Sequence, residues 1–194
     1  WKAYSPNDTR RKASIIDVEG ESVEQDITDQ REYTGYSNKK YAPRAIYNSD
    51  GKLVDEAENL GAVNFMIGQF QDYVSIRFAD VLLMAAELGS VNAQNYFDKV
   101  RQRAYGDKFV SKAVSKENIL EERRLEFAFE GIRYWDVLRQ GVSYATNVFA
   151  QSATVKNGGI VTQKTIDGSN FTKTRGFQQI PNTQISLSKN VLKQ

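Results

Sequence analysis

Residues 119–141 read ILEERRLEFAFEGIRYWDVLRQG, the stretch in which charge and aromatic bulk are most regularly spaced. At 3.6 residues per turn, Glu122, Arg123, Glu126, Glu130 and Arg133 fall on one stripe, while Phe127, Ala128, Phe129, Ile132, Tyr134, Trp135 and Leu138 cover most of the remaining circumference. Ser115 is placed to cap the start, with Glu117 in the first turn, so the spacing predicts one continuous helix from about residue 115 to Gly141. So wide an apolar arc predicts burial, with Tyr134 and Trp135 in the core. Arg124, Asp136 and Arg139 intrude on that arc, and because unpaired buried charge is costly they are expected to find partners inside the fold. Glu122, Glu126 and Glu130 stand four apart, and paired carboxylates are what a glycosidase uses. Catalytic carboxylates, however, face each other across a cleft, whereas charge along a helix face is ordinarily solvated and salt-bridged to its neighbours. A solvated structural stripe is expected, and no catalytic residue.

Working outward, YVSIRFADVLLMAAELG (73–89) has a narrow polar side of Arg77, Asp80 and Glu87, so a mostly buried helix is expected from about Tyr73 to Leu88. Gly89 can end it in a left-handed conformation, and Ser90 can start a second helix on which Ala93, Phe97, Val100 and Ala104 recur at helical spacing. These two form a helix pair, whose broad apolar arcs call for further helices packed against them. Residues 1–72 carry Pro6, Pro43, Gly20, Gly35 and Gly51 among short aromatic or alternating runs and read as loop-rich. Residues 142–194 read as an irregular tail, with ATVKNGGIVTQ (153–163) as a hairpin about Asn157-Gly158 and FQQIPNTQISLSKNVLKQ (177–194) extended. The fold class is mainly α: a helix pair plus a long buried helix in 73–141, flanked by the loop-rich and hairpin segments.

Composition narrows the chemistry. The 194 residues contain no Cys and no His, which removes thiolate and imidazole metal ligands, cysteine nucleophiles and Ser-His hydrolase logic. Net charge is only +2, with Lys and Arg spread along the chain, so nucleic acid is not expected as a partner. Asn48-Ser49-Asp50-Gly51 lacks the closing Glu of a calcium loop and reads as a turn, and Gly158-Gly159 precedes no strand-to-helix junction that could cradle phosphate, so neither metal nor cofactor is expected. The chain starts at Trp1 with no leader-like segment and no membrane-spanning apolar run, from which we expect a C-terminal part of a longer protein.

Three blocks, IRFADVLLMAAEL (76–88), YFDKVRQRA (96–104) and ILEERRLEFAFEGIRYWDVLRQG (119–141), resemble the SusD/RagB family in content and order, the third most specifically. PNDTRRKASI (6–15), with its Asp8-x-Arg10, and the closing FQQIPNTQISLSKNVLKQ are similar to that family's beginning and end of this region. The resemblance implies a SusD-like fold built on tetratricopeptide-type helix pairs. It further implies a non-catalytic glycan-binding protein, anchored to the outer membrane by an N-terminal lipidated cysteine, that delivers its ligand to a SusC-like TonB-dependent transporter. A sugar offers a polar rim and an apolar C–H face, so its platform is an aromatic ring on a loop with amide or charged neighbours. Trp1, Tyr4, Tyr47 and Asn48 fit that description, whereas Tyr36 and Tyr41 are expected in a strand. The rival readings are a helical-repeat scaffold for a protein partner and, more remotely, a carboxylate glycosidase.

Overall fold

In the computed structural model the described residues are 1–23, 26–41, 46–55, 73–189 and 191–192. They form helices and three two-stranded antiparallel sheets, mainly α as expected. The chain divides into two units, Trp1–Gln25 with Gly35–Gly131, and Asp26–Thr34 with Ile132–Gln194.

In the first unit α1 (Arg10–Ser14) leads into β1 (Ile15–Asp17), which pairs with β2 (Tyr36–Asn38), and β3 (Ile46–Tyr47) pairs with β4 (Leu53–Asp55). Helix α2 (Phe78–Glu87) packs on α3 (Ala93–Tyr105) and on α4 (Lys116–Glu126). Gly89, at φ +76°, ends α2: its N–H donates to Ala86 O, and Ser90 N–H donates to Ala85 O. This is a Schellman end, the left-handed stop expected of that glycine. Ala79, Leu82, Leu83 and Ala86 of α2 are buried, as are Phe97, Val100 and Ala104 of α3 and Ile119 and Leu120 of α4. The outer side of α2 is not buried: Phe78, Val81 and Met84 are exposed, because α3 and α4 cover only one flank of an apolar arc that runs most of the way round.

Helix α4 begins as read. The Ser115 hydroxyl accepts from Asn118 N–H at 3.2 Å. It does not run to Gly141: it stops at Glu126, Phe129 and Gly131 take positive φ, and a separate α5 (Arg133–Leu138) follows. The carbonyls a helix leaves unpaired at its C-terminus are taken up from elsewhere in the chain. Tyr4 donates its hydroxyl to Leu125 O at 2.7 Å, and Glu126 O accepts from Arg77 Nη2 at 2.7 Å and Lys40 Nζ at 3.0 Å. Cations at this negative end of the helix are favourable in their own right.

The second unit holds α5, α6 (Val142–Phe149), the hairpin β5 (Ser152–Asn157) with β6 (Ile160–Thr165), α7 (Gly168–Thr174) and α8 (Asn182–Leu187). The hairpin is where it was expected, but the turn residues are Gly158 and Gly159, both at positive φ, as a two-residue primed turn demands. Tyr33 bridges to Lys156, bringing 26–34 alongside β5. Three helices occupy the tail that was read as irregular. Asp167 caps α7 by accepting from Ser169 N–H at 2.8 Å. Gly168 lets α7 approach α6, since a Cβ there would lie 2.8 Å from Thr146 Cγ2. Tyr134 stacks on Phe149 at 5.7 Å and meets Phe171 edge-on, and its hydroxyl donates to Gly176 O.

Trp135 is the correction that follows from the helix break. It is 65% exposed on α5, touching Tyr134 edge-on at 5.3 Å, and is not a core residue. Trp135→Ala in this chain is therefore expected to change stability by less than about 1 kcal/mol in denaturant titration, where a buried Trp would cost about 3–5 kcal/mol. Asp136 is buried and accepts from Arg139 Nε at 3.1 Å, a pairing of the kind expected, whereas Arg124 lies at the surface, 3.7 Å from Glu121.

Candidate functional site

The carboxylate stripe, which runs along α4 (Lys116–Glu126) and on past its end to Glu130, is turned inward. Glu122, Glu126 and Glu130 are 2%, 2% and 8% exposed, contrary to the solvated face expected of them. Their counter-charges come from four other parts of the first unit. Arg10 grips Asp8 with a two-point fork (2.9 and 2.7 Å) and reaches Glu122 and Glu126, both at 2.7 Å. Arg101 adds a 3.1 Å bond to Glu122, and Arg77 and Arg103 both donate to Glu126. Glu130 accepts from Lys40 at 2.5 Å and from Arg77 at 2.8 Å. Burial by itself would raise the Glu126 pKa, but hydrogen bonds from Arg77 and Arg10 outweigh it and hold that carboxyl at about 2. Glu130 is likewise pulled down by Arg77 and Lys40 against the effect of burial. A carboxyl held this low carries no proton near neutral pH and cannot serve as a general acid. Arg123, also expected in water, is buried, 2.5 Å from Asp80, with its guanidinium 5.0 Å from the Phe127 ring centre.

Trp1, a sequence-selected ligand residue, lies in an aromatic group. Its indole stacks on Tyr36 at 5.6 Å and 23°, and the Arg11 guanidinium sits 4.0 Å from its ring centre. Trp1 is half-buried and packs on the small core of Tyr4, Ile15 and Leu125, whereas Tyr36, on β2 as expected, is 39% exposed. The sequence singles out Trp1 as a ligand candidate, but not the Tyr36 and Arg11 side chains placed beside it. A strand position marks Tyr36 as structural, yet an edge strand still shows one face of its side chains to water.

Tyr4 is corrected. It is 6% exposed, its hydroxyl is committed to Leu125 O, and burial pushes its pKa up to about 12, so in this arrangement it is a core residue and helix cap. Tyr47 contributes its backbone to β3, and its ring lies outside the described residues. Asn48 is exposed; its side-chain oxygen accepts from Asp50 N–H and Lys52 N–H at 3.0 and 2.9 Å, making the turn that was read from its sequence.

Comparison with known proteins places this architecture. Residues 1–194 match the SusD family over their whole length. SusD-like protein P25 from Formosa agariphila is 38% identical over 80 residues, 36% of this chain and 15% of that protein. The fold resembles surface glycan-binding protein A from Bacteroides thetaiotaomicron with a TM-score of 0.68 at 26% identity, covering 99% of this chain and 39% of that one. The same protein in complex with laminarihexaose gives a TM-score of 0.68 at 24% identity. The chain thus spans well under half the length of these relatives. Because the family match takes in every residue from Trp1 to Gln194, the chain belongs to the SusD family.

Proposed function

We propose that this chain is part of a cell-surface protein that binds a glycan without cleaving it and passes it to a SusC-like, TonB-dependent transporter in the outer membrane. The family match over the whole chain carries this reading, supported by the fold shared with a surface glycan-binding protein. No helix among the described residues is long and apolar enough to cross a membrane. Attachment is assigned to an N-terminal lipidated cysteine, which the family resemblance implies and which is not among these 194 residues. Within the chain, the Trp1–Tyr36 group with Arg11, together with Asn48 and Tyr47, is the proposed sugar-facing set. Tyr36 presents the more open ring, suited to stack against the C–H face of a pyranose.

Affinity electrophoresis of the whole protein against a panel of bacterial, plant and host polysaccharides tests the binding. Retention without release of reducing ends is expected, and Tyr36→Ala should weaken it about tenfold, or about 1.4 kcal/mol. The melting temperature of that variant should stay put, because the ring is not a core residue. Release of reducing ends, or retention of none of the panel, would overturn the proposal. Handover is tested by pulling down a tagged copy from detergent-solubilised outer membranes, where recovery of no TonB-dependent transporter would remove that step.

A further inference from the structure

Two cavities of the first unit share Arg77 and Arg103. The larger, about 470 Å³, opens onto the ion-pair network, and Lys40, Glu126 and Glu130 are among the residues lining it. The smaller, about 260 Å³, lies between α2 and α3; Arg77, Lys99 and Arg103 line it together with Phe78, Leu82 and Val100, and no carboxylate does. The two cations nearest to solvent have bonding capacity to spare. Arg103 is 62% exposed in its side chain and gives Glu126 one Nη2 donor, and exposed Lys99 forms no ion pair among the described residues.

The small cleft thus combines an apolar floor, an exposed aromatic ring and charged donors with no charged acceptor. Neutral sugar hydroxyls both donate and accept, and a site for them ordinarily mixes amide or carboxylate acceptors with donors. A cleft offering only charged donors matches a group that only accepts, a carboxylate or a sulfate ester. A guanidinium meets either with two parallel N–H bonds, and the exposed Phe78 ring in the lining supplies apolar surface for the same residue. The volume suits one pyranose ring and is too small for a helix of an acidic protein.

We infer that the α2–α3 cleft binds an acidic sugar residue of the glycan, a uronate or a sulfate ester, through Arg103 and Lys99 with Phe78 against the ring. This rests on the glycan-binding reading above and names its ligand class. The test is affinity electrophoresis of the whole protein at fixed ionic strength against polygalacturonate, dextran sulfate, neutral dextran, laminarin and polyglutamate. At least one acidic polysaccharide should be retained more strongly than polyglutamate, and which of the two is retained tells uronate from sulfate. Lys99→Glu and Arg103→Glu should each cut that retention about tenfold and leave any neutral retention unchanged. Lys99 lies outside the ion-pair network, so its variant keeps the fold and decides the matter even if Arg103→Glu unfolds. Acidic retention that survives Lys99→Glu, equal retention by polyglutamate, or retention of neutral glucans alone would overturn the cleft assignment while leaving glycan binding intact. Retention of no polysaccharide would defeat the glycan-binding reading itself and the cleft assignment with it.

Discussion

Glu126→Ala is expected to lower the folding free energy by about 3–5 kcal/mol, the cost of breaking a buried ion cluster by removing one partner. Glu126 is where the network converges: Arg10, Arg77 and Arg103 all donate to its carboxylate, and its backbone carbonyl is held by Arg77 and Lys40. Truncation leaves Arg10 with Asp8 and Glu122, but deprives Arg77 and Arg103 of their shared acceptor, gathering positive charge around a void. Glu126→Gln keeps the volume and one acceptor oxygen but not the charge, and should fall between the parent and the alanine variant. Equilibrium unfolding in denaturant measures both. A loss under about 1 kcal/mol for Glu126→Ala would return the carboxylates to the solvated role that a helical wheel assigns them.

That contrast locates what the sequence could and could not disclose. The wheel found the charged stripe correctly, but it reports only which residues share a face, not what the face meets. Here it meets Arg10, 116 positions away in sequence, so a side that looks wet is closed by cations from the beginning of the chain. The Asp8-x-Arg10 pair was visible as a motif, and two opposite charges so placed were the available hint that Arg10 had a structural task. Tyr4 misled for the same reason: a loop residue becomes a core residue when its loop folds over the end of α4. Trp135 misled because a wheel is valid only while the helix continues. Once the chain takes positive φ at Phe129 and Gly131, the phase carried from residues 119–126 no longer applies to 133–138. Local signals fared better wherever the deciding physics was local: the Ser115 cap, the Gly89 stop and the β5–β6 hairpin, whose turn falls at Gly158-Gly159, one residue later than expected. Helices α6, α7 and α8 are short and their apolar positions too few to show a period, so only packing reveals them.

The same network makes stability sensitive to acid. Glu126 titrates near 4.5 in an unfolded chain and at about 2 in the folded one, so the folded state prefers it ionised. Its contribution is complete above the unfolded value and is lost as pH falls from about 5 through 2, amounting to about 3 kcal/mol for a shift of this size. Glu130 is shifted in the same direction by Arg77 and Lys40 and adds to the loss. At the alkaline end the sign reverses. Burial raises the Tyr4 phenol from 10 to about 12, so the folded state prefers it protonated, and that contribution is present below pH 10 and lost as pH rises through 12. Denaturant midpoints should therefore hold level from about pH 5 to 10 and fall on either side. Glu126→Gln, which has no carboxyl to titrate, should be less stable throughout but show a shallower decline between pH 5 and 2. A parent protein as stable at pH 3 as at pH 7 would mean that these carboxylates gain nothing from their arginines on folding, and that Arg10, Arg77 and Arg103 do not hold α4 in place.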